Sequence, residues 1–172
     1  MTNEQLRQIA TYATLVNINT YAPLLNRYMH NYNICGKLRE AAFLATIIWE
    51  SGSFKYTREI ASGKAYEGRK DLGNIYKGDG ERFRGRGLIM VTGRTNYEQV
   101  SKALNIDFVA NPEILEQPEW AVRSACWWWN SRDLNAIADT GDFRKVTRIV
   151  NGGYTHLKER EFYYEKALEI LV

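Results

Sequence analysis

The sequence predicts a mainly α fold interrupted once, by a glycine-rich excursion after the third helix. Three observations predict it. Apolar residues recur at i, i+3, i+4 and i+7 along most of the chain. Between residues 53 and 87 that period is lost, and Gly63, Gly68, Gly73, Gly78, Gly80, Gly85 and Gly87 cluster instead. No internal repeat or linker divides the 172 residues, so one domain spanning 1–172 is expected, without a second, separate module.

Each element has its own signal. Thr2 and Gln5 form a capping box before Leu6, Ile9, Ala10 and Ala13, which predicts a first helix over about 3–15. Asn19 or Thr20 is the expected cap of a second, carrying Tyr21, Leu24, Leu25, Tyr28 and Met29 and ending by Gly36. The third runs from about Lys37 to Ser51. Leu38, Ala41, Ala42, Ala45, Ile48 and Trp49 form its inner face, and Gly52 stops it. In the excursion, Asp79-Gly80 is a turn signal for a loop or a small β-hairpin. A loop-rich stretch of this length is usually functional.

Helices resume after Thr92-Gly93, with Tyr97, Val100, Ala103 and Leu104 along one side. Pro118 fits the first turn of the next, which carries Trp120, Ala125 and Trp127 to Trp129 and ends near Asn130. Consecutive helical positions point about 100° apart, so two of those three tryptophans are expected in the core rather than on a sugar platform. Asp139 to Gly141 starts a helix through Phe143, Val146, Ile149 and Val150, closed by Asn151-Gly152-Gly153. Thr155 caps the last, through Leu157, Phe162, Tyr163, Ala167, Leu168 and Leu171.

Composition bounds the function. Apolar residues at 45% and charged residues at 25% exclude disorder as the main state. A net charge of +3 suits a polyanionic partner, either nucleic acid or an anionic cell envelope. The signs alternate along the chain, as in Asp79, Glu81, Arg82 and Arg84, which ranks nucleic acid last. Of five Trp, eleven Tyr and six Phe, some fill the core, and a surplus of Trp and Tyr suits stacking on sugar rings or bases. Cys35 and Cys126 read as reduced, mostly buried thiols. With only His30 and His156 besides, no metal-ligand spacing exists, no metal or cofactor is expected, and a nucleophilic triad has little support. The N-terminus lacks a signal-peptide pattern. The longest apolar run, Ala41 to Trp49, falls far short of the roughly twenty residues of a membrane span, so no stable membrane insertion is expected.

The sharpest chemical feature is Glu50, at the end of the most apolar helix, with Glu59 nine residues later in a polar segment. Apolar surroundings favour a protonated Glu50, as a general acid requires, whereas Glu59 stays ionised, as a base requires. A continuous helix would set the two about 13.5 Å apart along its axis and about 180° around it. Gly52 lets the chain turn back, so that they face each other across a groove. Two facing carboxyls suit glycoside hydrolysis, with inversion at roughly 6.5–9.5 Å and retention at about 5 Å. The spacing alone also fits a solvated Glu50 and a surface Arg58–Glu59 pair.

The stretch Phe83-Arg84-Gly85-Arg86-Gly87-Leu88-Ile89-Met90-Val91-Thr92-Gly93-Arg94-Thr95-Asn96-Tyr97 resembles the signature of glycoside hydrolase family 19, the chitinase-like group within the lysozyme superfamily. Glu50-Ser51-Gly52-Ser53-Phe54, Arg58-Glu59, Asn111-Pro112-Glu113, Val150-Asn151-Gly152-Gly153 and Arg160-x-x-Tyr163-Tyr164 continue the match in order. Ala65 to Asn74, with Gly78-Asp79-Gly80, looks like the bacteriophage endolysin version. The resemblance implies a two-lobed, lysozyme-like helical domain and an inverting hydrolase. In it Glu50 is the general acid, Glu59 the general base and Thr92 the holder of the attacking water. Asn96, Asn151 and Arg160 line or support the cleft. Asn151 before two glycines also fits a helix cap, and Arg160 a buried structural ion pair.

The resemblance further implies a monomer acting on peptidoglycan glycan strands, made in a bacterial host's cytoplasm and released to the periplasm and wall at lysis with a holin-type partner. Two positions depart from the family. Trp49 stands where His is usual, and Met90 where Gln is usual. A chitinase and a catalytically inactive glycan-binding module are the alternatives.

Overall fold

The computed structural model describes residues 1–171. Nine α-helices span these residues: α1 Asn3–Ile9, α2 Leu15–Asn31, α3 Lys37–Glu50, α4 Asp79–Arg82, α5 Arg94–Leu104, α6 Pro118–Asn130, α7 Leu134–Asp139, α8 Phe143–Asn151 and α9 Leu157–Ile170. Short 3₁₀ turns occupy Lys64–Tyr66, Lys70–Leu72 and Pro112–Glu116. The mainly α fold class holds, and the excursion takes its loop form. No hairpin forms at Asp79-Gly80, which instead opens the one-turn α4. The extended pairings among the described residues are isolated bridges, Arg58 with Arg86 and Arg86 with Val91.

The core is built around α3. All eight residues from Ala41 to Ile48 are buried, Phe43, Leu44 and Ile47 among them, although one inner face was expected. A helix apolar all round belongs at the centre of a domain. α9, α7 and α8 pack on it, α2 packs on α6, and α1 bridges α2 and α9. Trp129 is fully buried edge-on to Phe43, while Trp127 and Trp128 are only partly covered.

Several boundaries differ from the sequence reading. The Thr2–Gln5 capping box forms as expected, but α1 ends at Ile9 rather than near residue 15. Thr14 starts the next helix, its hydroxyl accepting from the Asn17 amide. Asn19 and Thr20 therefore lie inside α2. Thr20 donates to Val16 O at 2.8 Å and Asn19 accepts from Asn3, uses of short polar side chains that compete with capping. α7 lacks a sequence signal because six residues are too few to show a period. α9 begins after His156, in left-handed conformation, with no side-chain cap from Thr155. Cys126 is buried as expected, but Cys35 is exposed, and both are free thiols. His30 and His156 are at the surface.

Candidate active site

Glu50 closes α3, where a negative charge meets the negative end of the helix dipole and the last turn holds no basic residue. Arg160, from α9, supplies the compensation. Its Nη2 lies 2.7 Å from Glu50 Oε1, with the Arg160 side chain 4% exposed and that of Glu50 21%. The greasy surroundings expected for Glu50 are thus corrected to a buried cation. Arg160 Nη2 also donates to Asn151 Oδ1 at 3.5 Å. Its guanidinium lies 5.7 Å from the centre of the Trp49 ring, and its Nε is buried without a protein partner. The ion-pair reading of Arg160 therefore coexists with a place beside Glu50, whereas Asn151 reaches only Arg160: it is the last helical residue of α8, and the cap is Gly152, in left-handed conformation.

Beyond Glu50 the chain reverses. Ser51 Oγ donates to Ile47 O and accepts from Phe54 N, while Gly52, Ser53 and Phe54 have φ of 56°, 59° and 65°. Left-handed backbone is costly for Ser and Phe. Phe54 is held there by burial and by stacking on Tyr21 at 5.1 Å. The reversal carries Glu59 to the 85–92 segment, where its amide donates to Gly85 O and Gly87 N donates to Thr57 O, both at 2.9 Å.

The Glu59 carboxylate is then fixed on one side. Oε2 accepts from Gly85 N at 2.8 Å and from the Tyr66 hydroxyl at 3.2 Å. Burial pushes the Tyr66 phenol upward, and the neighbouring carboxylate adds to the effect. Oε1 is shielded from solvent and has no protein donor. A buried acceptor left unpaired by the protein is costly. Arg58 turns away, pairing with Glu116 at 3.7 Å, so the surface-pair reading of Arg58–Glu59 does not hold.

Thr92 stands close by. A Cβ on Gly85 would sit 2.7 Å from Glu59 Oε2 and 3.3 Å from Thr92 Oγ1, so both oxygens surround one backbone position. The Thr92 hydroxyl donates to Met90 O at 2.8 Å, and Asn96 Nδ2 donates to Thr92 O at 2.7 Å. Arg86 anchors the segment from below, donating to Glu116, Arg82 O and the Tyr97 hydroxyl. The Gly85-Arg86-Gly87 run is thus a buried support.

Glu50 and Glu59 line one open cleft of about 350 Å³, together with Tyr56, Arg58, Tyr66 and Met90. Thr92, Asn96, Asn151 and Arg160 are not on that lining: Arg160 reaches it through Glu50, and the exposed Asn151 only through Arg160. A larger hollow of about 530 Å³, bordered by Arg7, Gln8 and Lys166, holds no carboxylate and offers no acid–base pair. Tyr66 and Gly85 are site residues that the sequence reading did not single out as such. No spacing rule points to them. Among the described residues no cluster of three or more His, Cys, Asp or Glu has the geometry to hold a metal ion.

Comparison with known proteins gives a consistent result. The family model described as chitinase class I, glycoside hydrolase family 19, matches residues 41–140. That span includes Glu50, Glu59, Thr92 and Asn96, and excludes Asn151 and Arg160. A glycosyl hydrolase family 19 domain-containing protein of Haemophilus influenzae is 35% identical over 108 residues, covering 62% of this chain and 52% of that protein. An endochitinase of Arabidopsis thaliana is 36% identical over 114 residues, covering 66% and 38%. The chain thus spans about half or less of the length of these relatives. In three dimensions it resembles chitinase C of Streptomyces griseus, with a TM-score of 0.80 at 24% identity, covering 99% of this chain and 76% of that one. A bacterial family 19 chitinase gives the same TM-score at 20% identity, covering 99% and 94%.

Proposed function

The chain belongs to glycoside hydrolase family 19, and from that premise we propose that it is an endolysin that hydrolyses β-1,4 linkages in the glycan strands of bacterial peptidoglycan. The observation that carries the catalytic reading is the placement of Glu50 and Glu59 on the lining of one cleft, one tied to a cation and the other holding an oxygen without a donor. The pair acts as acid and base with inversion. Arg160 engages Oε1 of Glu50, which leaves Oε2 to carry the proton. That proton passes to the departing glycosidic oxygen as the bond to the anomeric carbon breaks. A water attacks the same carbon from the opposite face and gives its proton to Glu59 Oε1. Exchange with solvent then restores both carboxyls. Thr92 uses its own proton on Met90 O, so its free lone pairs accept from the attacking water. Because Glu59 Oε1 is shielded, the reading includes a rotation of that carboxylate, or a shift of its neighbours, to admit the water.

Peptidoglycan is favoured by the endolysin-like stretch Ala65 to Asn74, by the bacterial source of one relative and by the net charge of +3 facing an anionic envelope. The same proposal includes a monomeric enzyme with no nucleic-acid partner, made in the host cytoplasm and reaching the wall through a holin-type protein. None of the described helices is long and apolar enough to cross a membrane. The second reading, a chitinase, is favoured by the endochitinase relatives. Both substrates share the N-acetylated β-1,4 glycan.

One assay tests these readings. The purified chain is incubated with peptidoglycan and with chitin, and product masses and anomers are followed. Faster cleavage of peptidoglycan with initial α-anomer supports the first reading, and chitin preference supports the second. A 1,6-anhydro product removes Glu59 from the mechanism. Glu50→Gln is expected to lower turnover by at least about a hundredfold, the scale of a lost general acid. The change also leaves the buried Arg160 without its anion, so the thermal midpoint is expected to fall, and turnover is compared at a temperature where both proteins are folded. Full activity in this variant overturns the assignment.

A further inference from the structure

α8 carries a concentration of positive charge that the acid–base pair does not use. Phe143, Val146 and Thr147 turn inward and are buried, which leaves Arg144, Lys145 and Arg148 exposed on the outer side. The left-handed turn at Gly152 brings the chain back, so that the Arg144 guanidinium lies over the Tyr154 ring, 5.1 Å from its centre. These four side chains and Asp142 line one hollow of about 340 Å³. Its volume is that of a small-ligand site.

Three cations around one hollow are unfavourable without a counter-ion. Arg144 and Arg148 stand four positions apart on the helix, where like charges repel. Arg144 and Lys145 also occupy the first turn, at the positive end of the helix dipole, and no acidic residue offsets them there. Asp142 is the one anion on the lining, and its Oδ1 is engaged as the cap of α8, accepting from the Lys145 amide at 2.9 Å. Among the described residues none of the three cations pairs with a carboxylate, whereas Arg39, Arg69 and Arg123 face Asp139, Asp71 and Glu119. Their charge is left to a ligand.

We propose that this hollow binds the carboxylates of an acidic peptide, namely the short peptides that the glycan strands of peptidoglycan carry. The inference rests on the peptidoglycan reading above and deepens it, because chitin bears no such peptide. The chemistry selects the ligand. The planar forks of Arg144 and Arg148 suit bidentate bonding to carboxylates, Lys145 adds a point charge, and a ligand with several carboxylates answers several cations at once. No aliphatic side chain is on the lining, so the hollow offers nothing to a lipid tail. On α9, which packs against α8, the signs alternate through Lys158, Glu159, Arg160 and Glu161, so the cations do not run on into the stripe that a nucleic acid follows. A wall is a network that repeats its peptides, so attachment at this hollow holds the chain on its substrate whichever strand lies in the cleft.

The test is calorimetric binding of a sugar-free wall tetrapeptide, of the same peptide with its carboxyls amidated, of inorganic phosphate and of phosphatidylglycerol vesicles. The acidic peptide is expected to bind, and less tightly as salt rises. Amidation is expected to weaken it at least roughly tenfold, and the Arg144→Gln/Arg148→Gln pair to do the same, the scale of a lost charge-assisted hydrogen bond. Both positions are exposed, so an unchanged thermal midpoint is expected and separates lost binding from lost folding. Equal binding by the variant and the parent overturns the site. So does phosphate bound as tightly as the peptide, which marks a general anion patch, or attachment to the vesicles with no affinity for the peptide. The peptidoglycan reading fails by a different result, preferential cleavage of chitin by the unsubstituted chain, which the binding measurement does not involve.

Discussion

Gly85 shows how one missing side chain sets the site. Its amide donates to Glu59 Oε2 at 2.8 Å, while a Cβ would stand 2.7 Å from that same oxygen. Gly85→Ala therefore cannot keep both the methyl and the carboxylate where they are. The end of a glutamate is movable, so the fold survives and Glu59 shifts. We expect a loss of roughly a hundredfold in kcat, the cost of displacing a reacting group by about 1 Å, with KM and the melting curve little changed, measured by steady-state kinetics and calorimetry. At this scale the sequence was legible where residues carry chemistry of their own. Glu50 and Glu59 stand out because a bend at Gly52 is the only way to make nine residues useful. Arg160 is a different matter, since its meeting with Glu50 joins positions 110 apart and depends on how α9 lies on α3.

At the scale of elements, the excursion turns on Asp79. Read along the chain, Asp79-Gly80 signals a hairpin. In the fold, Asp79 Oδ2 accepts from the Ile75 and Tyr76 amides, and the carboxylate pairs with Arg94 at 2.9 and 2.6 Å, which makes the turn helical and pins the excursion to the start of α5. Local propensity gave way to a long-range ion pair. The Arg94 guanidinium holds the Asp79 carboxyl below the usual carboxylate range, with the Tyr76 and Ile75 amides assisting against burial. The sign follows from that depression. The stabilisation is fully present above the unfolded-state value of about 4 and is lost as pH falls below it, through the lowered native value. Asp79→Asn is expected to cost about 3 kcal/mol near neutral pH by leaving Arg94 without its anion. In thermal melts between about pH 2 and 7, the gap between variant and parent is expected to close toward the acid end. A gap constant with pH would place the effect in the lost amide contacts instead.

For the molecule as a whole, the consequence follows from having a single core. Apolar periodicity named most of the residues that fill it, but α3 carries apolar groups on every side, so periodicity could not say that this helix lies at the centre. That position exists only once α9, α7 and α8 close around it. The Glu50 end of α3 is held by the same packing that holds the body of the domain, and Phe43 is the test of that connection. It is fully buried, with its ring 5.4 Å from Trp129 of α6 at 86°. Phe43→Ala is expected to cost about 3–5 kcal/mol. If the site and the body form one cooperative unit, tryptophan fluorescence, far-ultraviolet dichroism and residual glycan cleavage will shift to lower denaturant together, with coincident midpoints. If cleavage is lost well before the two spectroscopic signals, the cleft rests on a separate and weaker unit, and the excursion rather than α3 governs its persistence.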